Sequence, residues 1–592
     1  MNRRIRKAAP FAILIVVLAA VFAFGSEYWV TLANYIGLAT LVALGLVLLT
    51  GIGGMTSFGQ AAFVGIGAYS SAVATTGFGL NPWIGLFFAL MLTGLSAYVI
   101  GALTLRLAGH YLPLSTIAWG IALYFLFGNI EMLGGQTGLG GIPPIRIAGV
   151  ALDTSRSIFF LIWLAVMLAI AGATNLLNSG PGRAMRSLKG GAAMAETFGI
   201  DTASVRVKTF VLAALLAGLS GWLYVHMLRF VNPTPFGLNF GIEYLFMAVV
   251  GGAGLVWGAV VGAATVIISK EILQDFLPTI LGNGGNYEMI VFGVVLIILL
   301  QRAPEGFLHP VRKLFASAEY TPLDTGTTPV DLPIRDKPVP ESDVLVVSDL
   351  GKRFAGLVAL EGLSFSLKAG EIVGVIGPNG AGKSTMFNVI SGVLSPTSGS
   401  VQFCGRNTEQ LPSRKIAAEG MARTFQHVLL LPTMSVVENV MIGADRRASA
   451  GVLAALLHLE RGSEKAVRLE ASRQLERVGL AQSALAEAGS LALGQQRIVE
   501  IARALSADPT LLLLDEPAAG LRLQEKVALA KTLRQLRREG VSILIVEHDM
   551  DFVMNLVDRL IVLDFGQRIA EGEPKAIQSD ARVLEAYLGG VE

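Results

Sequence analysis

The sequence predicts a polytopic α-helical membrane domain followed by a water-soluble α/β domain. Of the 592 residues, 53% are hydrophobic and only 15% are charged, whereas soluble proteins carry about 25% charged residues. The chain contains no Asp, Glu, Lys or Arg from Trp29 to Leu105. From about Glu341 onward its composition is that of a soluble protein, and a glycine-rich loop follows an apolar strand there. The net charge of +2 predicts no nucleic-acid partner.

The segment 371–385 predicts a site for nucleotide phosphates. EIVGVIG is typical of a buried strand, and GPNGAGKST follows it before a helix. Gly377, Gly382, Lys383 and Ser384 have the spacing of the P-loop pattern. In that pattern, backbone N–H groups at a helix N-terminus bind phosphate oxygens, the lysine reaches the β- and γ-phosphates, and the serine hydroxyl binds Mg²⁺. The sequence therefore predicts ATP and Mg²⁺ as cofactors.

Two more apolar strands end in residues suited to ATP hydrolysis. The strand LLLLDE (511–516) ends in Asp515, which suits a water-mediated Mg²⁺ shell, and Glu516, which suits a general base for the attacking water. The strand VSILIVEH (541–548) ends at His548, which we expect to contact the γ-phosphate. Adjacent carboxylates are more often solvated and a lone histidine is more often structural, but their positions at strand ends after a P-loop favour catalysis.

The N-terminal half predicts eight to ten membrane spans. Nine apolar segments are near the length that crosses hydrocarbon: 9–24, 29–49, 58–76, 82–105, 111–133, 157–177, 208–228, 243–269 and 287–300. A basic N-terminus held in the cytoplasm and an ATP-binding C-terminus require an even number of spans. We expect the glycine run at 251–254 to divide the segment 243–269 into two shorter helices. A cleavable signal peptide ending near Phe24 is the alternative for the first segment.

Two connecting segments carry expectations of their own. The basic loop with Arg183, Arg186 and Lys189 is cytoplasmic by the positive-inside rule. Its two short helical patterns make it a candidate docking surface, although a solvated charged loop is the simpler interpretation.

Residues 316–342 hold five prolines and predict a semi-extended linker that does not pack into a core. The predicted domains are therefore 1–315 (membrane), 316–342 (linker) and 343–592 (α/β).

Residues 343–592 resemble the ATPase domains of ABC transporters along their whole length. RTFQ at 423–426 resembles the Q-loop, LALGQQR at 491–497 resembles the signature motif, and KRFAGL at 352–357 resembles the segment whose aromatic residue stacks on adenine. With the P-loop and LLLLDE, five motifs follow one another in the family's order. The resemblance implies an ABC-type ATPase whose signature motif binds the ATP held by an opposing ATPase. It excludes P-loop ATPases that lack a signature motif, such as helicases.

The motifs and the resemblance together assign roles to individual residues. The predicted catalytic residues are Glu516, His548 and Gln426. The predicted Mg²⁺ ligands are Ser384, Gln426 and Asp515. The predicted nucleotide contacts are Phe354, Gly377, Pro378, Asn379, Gly380, Ala381, Gly382, Lys383, Ser384, Thr385, Asp515, Ala492, Gly494 and Gln495.

Two positions depart from the family's usual motifs. Ala492 stands where the signature motif usually has a serine, so a hydroxyl contact to the γ-phosphate is missing. The segment PAAGLR at 517–522 lacks the aspartate that is common in the D-loop. Neither departure affects the P-loop, Asp515 or Glu516, and the backbone of Gly494 remains.

The N-terminal half resembles the permeases of the branched-chain amino acid uptake family. The matching segments are GMTSFGQAAFVGIGAY (54–69), GQTGLGGIP (135–143), GRAMRSLKGGAAMAETFGID (182–201) and VVGGAGLVWGAVVGA (249–263). EPAAGL and the C-terminal RVLEAYLG (582–589) resemble that family's ATPases. Permease and ATPase are usually separate polypeptides in the family, so the fusion is a departure. The loop at 183–208 matches the family's coupling loop, which supports a docking role.

The resemblance implies ATP-driven import of branched-chain amino acids, or of related small amides and carboxylates. The permease would span the bacterial inner membrane, with the ATPase in the cytoplasm. A working unit needs two permeases and two ATPases, so the expected partners are a second copy of the chain, or a separate permease and ATPase, together with a periplasmic substrate-binding protein. The alternatives are an exporter half-transporter and a membrane-anchored ATPase that transmits force without transport.

Polar residues at membrane depth or at its edge are default candidates for the substrate pathway. They are Thr56, Ser57, Gln60, Gln136 and Glu243. Ordinary interhelical hydrogen bonds explain these residues at least as well. The many glycines of the same half fit either a path lined by broken helices or simple close packing of helices.

Overall fold

The computed structural model describes residues 3–105, 111–281, 287–302, 331–448 and 451–588. They form two compact units. The helical unit holds the described residues up to Asn178 and those from Ala203 to Arg302. The α/β unit holds Ser179–Thr202 together with the described residues from Asp331 onward. The first part of the predicted linker, residues 316–330, lies outside the described residues.

Twelve helices precede the linker within the described residues. They are α1 (Arg3–Phe24), α2 (Glu27–Leu46), α3 (Gln60–Thr76), α4 (Pro82–Thr104), α5 (Tyr111–Asn129), α6 (Ser155–Leu177), α7 (Gly180–Ser187), α8 (Ala192–Thr197), α9 (Thr202–Leu228), α10 (Leu238–Gly251), α11 (Gly258–Leu281) and α12 (Tyr287–Arg302). The short α7 and α8 belong to the α/β unit. In the described residues, five helices are long and apolar enough to cross a membrane, beginning with α2 and its extension to Ile52.

The predicted division of the segment 243–269 is confirmed. The helix α10 ends at Gly251 and α11 begins at Gly258. The chain turns back on itself between them, so the two helices pack backbone against backbone. A Cβ atom at Gly262 of α11 would lie only 1.8 Å from the carbonyl oxygen of Met247. Small residues permit this approach between apolar helices.

A second interruption precedes α3. The helix α2 continues into a π-helical segment, Val47–Ile52, and the chain is then non-helical until α3 begins at Gln60. A Cβ atom at Gly51 would lie 1.3 Å from the carbonyl oxygen of Ala253. The π-helical end of α2 therefore touches the turn between α10 and α11, and only glycine fits at this contact.

Short strands lie between α5 and α6 and between α9 and α10. The strand β1 (Leu139–Gly140) pairs antiparallel with β4 (Phe230–Val231), and β2 (Ile145–Ile147) pairs antiparallel with β3 (Val150–Leu152). The helix α2 is buried along nearly its whole length, as expected for a helix that is apolar on every side. The helical unit is thus built around α2.

The α/β unit contains two sheets. Its strands are β5 (Asp343–Phe354), β6 (Leu357–Lys368), β7 (Ile372–Ile376), β8 (Ser398–Phe403), β9 (Arg406–Asn407), β10 (Met421–Arg423), β11 (Leu511–Asp515), β12 (Ser542–Val546), β13 (Arg559–Asp564) and β14 (Gln567–Gly572). The main sheet has the order β10-β11-β12-β7-β13-β14, parallel except for β14. The strands β6-β5-β8-β9 form an antiparallel sheet. The carboxyl ends of the parallel strands meet at one edge, where ligands bind in such sheets.

Ten helices complete the α/β unit in its described part. They are α13 (Lys383–Ile390), α14 (Ser413–Glu419), α15 (Val436–Ala444), α16 (Val452–Leu456), α17 (Arg461–Arg477), α18 (Leu493–Ser506), α19 (Leu523–Arg538), α20 (Met550–Met554), α21 (Pro574–Gln578) and α22 (Ala581–Leu588). One buried cluster of side chains joins α15, α17 and α18. Two others lie around the main sheet.

The end of the predicted linker is packed, contrary to the expectation of a free segment. Leu332 is 9% exposed and belongs to the cluster of α15, α17 and α18. The guanidinium of Arg447 donates two hydrogen bonds to the Pro333 carbonyl oxygen, at 3.2 and 2.9 Å. Lys337 donates to Asp508 at 2.8 Å. Proline-rich composition correctly indicated an extended backbone but not these side-chain anchors. We call residues 331–337 the linker strap.

Asp508 is the main polar anchor of the linker strap. Its carboxylate accepts from the Arg335 N–H at 2.5 Å as well as from the Lys337 ammonium. Burial alone would raise the pKa of Asp508, but these two donors hold that pKa below its ordinary value. The contribution of Asp508 to stability is therefore complete at neutral pH and is lost only as the pH falls below about 4.

We predict that Asp508→Ala releases the linker strap. Removing an acceptor shared by two donors costs on the order of 1–3 kcal/mol, so amide hydrogen exchange at 331–337 should accelerate at neutral pH. Asp336→Ala is the control, because Asp336 is exposed between the two donor residues. Equal exchange rates in Asp508→Ala and the wild type would contradict this anchoring role.

Candidate functional site

The P-loop lies at the carboxyl edge of the main sheet, between β7 and α13. All five residues of β7 are buried, and Gly382 forms the N-cap of α13 with a φ of +94°. The Lys383 ammonium donates to the carbonyl oxygens of Gly377 and Pro378, at 2.7 and 2.8 Å. Burial lowers the pKa of Lys383, and the carboxylates of Glu516 and Asp515 oppose this shift. The loop is therefore already folded around its lysine.

A cavity of about 410 Å³ adjoins the P-loop. It is lined by Phe354, Leu357, Val358, Ala359, Asn379, Gly380, Ala381, Gly382, Lys383, Ser384, Thr385, Gln426, Glu516 and His548. Residues from five separate segments of the chain thus line one cavity. The Phe354 ring is 40% exposed and carries the Lys352 ammonium 5.1 Å from its centroid. A flat ring at the cavity wall can stack on a planar base.

Glu516 is the centre of the hydrogen-bond network in this cavity. Its Oε1 accepts from Gln426 Nε2 at 3.0 Å and lies 2.8 Å from His548 Nε2. Arg497 donates to the main-chain oxygens of Glu516 and Gln426, at 2.9 and 3.1 Å. Glu516 has a φ of +48°, which is uncommon for a residue with a side chain. Gln426 and His548 are thereby both held within hydrogen-bonding distance of Glu516.

Asp515 is buried beside Glu516, and one of its carboxylate oxygens accepts no hydrogen bond among the described residues. It is 2% exposed, and among the described residues its Oδ1 has no hydrogen-bond partner. Its Oδ2 lies 3.5 Å from the Arg423 guanidinium. Burial raises the pKa of Asp515, and the charge of Arg423 opposes that rise. A buried carboxylate oxygen without a donor suits the water shell of Mg²⁺, which binds through one or two carboxylates and substrate phosphates.

Three residues of this site were not singled out from the sequence. Arg423 packs its guanidinium against Phe425, 4.7 Å from the ring centroid, and Arg497 ties together the segments of Gln426 and Glu516. Glu547 is 3% exposed, and its carboxylate accepts from the N–H groups of Ala518 and His548 at 2.5 and 3.1 Å. All three residues lie inside segments that the sequence analysis identified. Their charge at those positions was the signal that could have predicted a role in the site.

The predicted signature residues lie apart from this cavity. Ala492 is the exposed N-cap of α18, Gly494 is buried against Gly520 and Leu521, and Gln495 is half-buried. None of the three signature residues lines the 410 Å³ cavity. Within one copy of the chain, the described structure therefore brings together the P-loop, Phe354, Gln426, Glu516 and His548, but not the signature motif.

The loop between α6 and α9 packs on the α/β unit through a buried ion pair. The side chain of Arg183 is 4% exposed. Its Nε donates to both oxygens of Asp445, at 3.0 and 2.9 Å. Its Nη1 and Nη2 donate to Glu464 at 2.9 and 2.7 Å. Asp201, at the other end of the loop, lies 3.5 Å from Arg414. The docking interpretation of this loop is therefore confirmed over the solvated one.

Apolar side chains of the same loop pack into the hydrophobic core of the α/β unit. Met194 and Phe198 of the loop are 0% and 2% exposed, within the cluster that contains the main sheet and α18. The Arg503 guanidinium lies 4.8 Å from the Phe198 ring centroid. Arg503 also donates to the carbonyl oxygen of Leu429 at 2.9 Å, three residues after Gln426. A continuous set of contacts thus links the loop to the segment of Gln426.

Comparisons with known proteins agree with this arrangement. The family model described as the permease component of the branched-chain amino acid transport system matches residues 28–300. The ABC transporter model matches 360–519, and a model of the branched-chain amino acid ATP-binding cassette transporter matches 567–592. The high-affinity branched-chain amino acid transport ATP-binding protein BraF of Pseudomonas aeruginosa is 41% identical over 249 residues, 42% of this chain and 98% of that protein. This chain belongs to the branched-chain amino acid ABC transporter family.

Further relatives match the ATPase half of this transporter chain. The protein LivG of Escherichia coli K12, named with the same function, is 40% identical over 42% of this chain and 98% of its own length. A probable LivG of Methanocaldococcus jannaschii is 34% identical with the same coverage. The crystal structure of the ADP conformation of MJ1267, an ATP-binding cassette of an ABC transporter, is 35% identical over 42% of this chain and 99% of that one, with a TM-score of 0.38. The family models at 28–300 and 360–519 show that the chain is a permease fused to an ABC ATPase.

We predict that Arg183→Met destabilises the transporter in a pH-dependent way. Two partly buried carboxylates, 12% and 21% exposed, would lose a cation that is itself buried, and breaking a buried ion pair costs about 3–5 kcal/mol. Burial already raises the pKa of Asp445, and loss of Arg183 raises it further. A raised carboxyl pKa penalises the folded state at high pH, so the loss of thermal stability should be large at pH 7.5 and smaller at pH 5.5.

Two further variants make this prediction specific. Arg186→Met is the control, because its 3.4 Å pair with Glu438 is partly exposed and such pairs contribute at most about 1 kcal/mol. Replacing Asp445 and Glu464 by Asn and Gln in the Arg183→Met background should restore melting temperature. If Arg183→Met and Arg186→Met lowered the melting temperature equally at both pH values, the burial of Arg183 would not contribute to stability.

Proposed function

We propose that this chain is the fused permease–ATPase half of an importer for branched-chain amino acids, or for related small amides and carboxylates. The bacterial inner membrane would hold the permease, and the cytoplasm would hold the ATPase. The observation that carries the proposal is the contact set from the docking loop through Phe198, Arg503 and Leu429 to Gln426 and Glu516. ATP hydrolysis at Glu516 would be sensed there.

The described residues suggest how ATP is bound and hydrolysed. The P-loop N–H groups and Lys383 would bind the phosphates, while Phe354 would stack on adenine. Glu516 would accept a proton from the attacking water, with His548 and Gln426 orienting its carboxylate. Ser384, Gln426 and Asp515 would hold Mg²⁺, which when bound neutralises charge on the phosphates.

The remaining contact to ATP would come from a second ATPase. The exposed position of Ala492, away from the cavity, fits a signature motif that acts on ATP held by a partner. A working assembly would pair two ATPases and two permeases, with the partner either a second copy or a separate permease and ATPase. A periplasmic binding protein would deliver the substrate. Closure and reopening of the ATPase pair would then switch the permease between two states.

The alternatives have less support. An exporter half-transporter would have about six long spans with extended cytoplasmic helices, whereas residues 28–300 match the permease component of the branched-chain amino acid transport system. A membrane-anchored ATPase that only transmits force would need a large external domain, but the segment between α5 and α6 holds only short strands and turns.

We predict that Glu516→Gln abolishes import while ATP binding is retained. The amide keeps the shape of the side chain but cannot accept a proton, so ATP turnover should fall by about 10²- to 10⁴-fold. The measurement is ATP-dependent uptake of radiolabelled leucine by proteoliposomes that contain the assembled transporter and its binding protein, together with ATP hydrolysis. Glu573→Gln, an exposed position, is the control. Turnover near the wild-type rate would exclude Glu516 as the base.

We predict that Ala492→Ser strengthens ATP binding across the ATPase interface. The added hydroxyl restores a donor to a charged phosphate, and such hydrogen bonds contribute about 1.5–3 kcal/mol. Tighter binding at one of two sites indicates a heteromeric assembly, and an equal gain at both indicates a homodimer. Nucleotide titration of the assembled transporter, carrying Glu516→Gln to prevent turnover, measures both sites. No gain at either site would contradict a signature contact at this position.

A further inference from the structure

The interruption before α3 is enclosed by two other helices. A Cβ atom at Gly59 would lie 2.9 Å from the carbonyl oxygen of Thr116 on α5. A Cβ atom at Gly241 on α10 would lie 2.2 Å from the carbonyl oxygen of Phe58. Non-helical backbone at membrane depth is tolerated only inside protein or along a cavity. The interruption at 53–59 therefore lies within the helical unit, between α5 and α10.

The N-terminus of α3 has no capping side chain. Its N-cap is Gly59, and the close approach of Thr116 leaves no space for a serine or aspartate there. The Phe58 N–H donates to Thr116 Oγ1 at 3.2 Å, and the Ala62 N–H turns back to the Gly59 oxygen at 3.1 Å. The first N–H groups of an α-helix have no acceptor inside it, and the positive end of the helix dipole adds to their field.

Two buried polar side chains flank this helix end. Ser57 is 0% exposed and Gln60, the first residue of α3, is 1% exposed. Within the described part of the chain, the Ser57 hydroxyl and both amide atoms of Gln60 have no hydrogen-bond partner. Burying such groups unpaired is unfavourable. Their presence beside an uncapped helix end indicates that another group satisfies them during the transport cycle.

We propose that the N-terminus of α3, with Ser57 and Gln60, is the permease subsite for the substrate's carboxylate. The inference rests on the proposed import of amino acids and specifies which part of the substrate is bound here. Backbone N–H groups, a hydroxyl and an amide NH₂ are all donors, and a helix N-terminus favours an anion. Broken helices of transporters bind anionic substrate groups in this way. Among the proposed substrates, the subsite favours the free carboxylates over the amides.

The other pathway candidates do not contribute to this subsite. Glu243 forms an ion pair with Lys270 of α11 at 2.7 Å, so its charge is already matched. Gln136 belongs to the segment before β1 and packs against Gly128 at the end of α5. Thr56 is only half-buried. Among the five candidates, Ser57 and Gln60 combine complete burial, unpaired polar atoms and a position at the helix end.

The first test separates transport from stability. Ser57→Ala removes an unpaired hydroxyl, so the melting temperature should stay level or rise. The maximal rate of leucine uptake should fall at least tenfold, with unchanged KM, because the binding protein determines substrate capture. Thr93→Val is the matched control: Thr93 is 0% exposed with an unpaired hydroxyl on α4. It should keep both the melting temperature and the uptake rate at or above those of the wild type.

The second test uses charge. Gln60→Glu places a carboxylate at the first position of α3, where it suits the helix dipole but competes with a substrate carboxylate. ATP-dependent leucine uptake should fall at least tenfold, while the melting temperature should stay close to that of the wild type. ATP-dependent leucine uptake at wild-type rates in both Ser57→Ala and Gln60→Glu would overturn the subsite and leave the import proposal standing. Absence of leucine uptake by the wild type would overturn both.

Discussion

The buried guanidinium of Arg183 fixes how the loop at 179–202 joins the α/β unit. A charge removed from water must be fully paired, and Arg183 meets this need with two carboxylates from α17 and the segment after α15. This geometry places Phe198 under Arg503, whose guanidinium bonds Leu429. The loop is therefore in contact, through Arg503, with the segment that follows Gln426.

Buried charge also governs the ATP site. Burial lowers the pKa of Lys383 and raises that of Asp515, so each charged form is less favourable than in water. A polyanion beside Lys383 and a cation beside Asp515 would relieve both effects together. The free Oδ1 of Asp515 and the paired Glu516 therefore differ in role: one is open to a ligand, while the other is already held by Gln426 and His548. The oxygen without a partner is thus on Asp515, one of the residues that would hold Mg²⁺.

Sequence alone revealed features that are contiguous in the chain. The P-loop, the strand ends at Asp515 and His548, and the glycine division of 243–269 depend on a few adjacent residues, and the fold places them as expected. The acid partners of Arg183 lie more than 260 residues away, and no local pattern identifies them. The unpaired state of Ser57 and Gln60 likewise follows from α5 and α10 closing around them, which only tertiary structure reveals.

Fusion gives the linker a structural role beyond connection. The linker strap and the docking loop belong to the same α/β unit, and Phe198, Arg335 and Asp508 line one cavity of about 290 Å³ there. The matched relatives correspond to the ATPase alone, since 42% of this chain covers 98% of BraF. In this chain, Asp508 and Arg447 hold the strap at the rim of the surface that receives Phe198. Displacing the strap would therefore change the cavity that Phe198 of the docking loop lines.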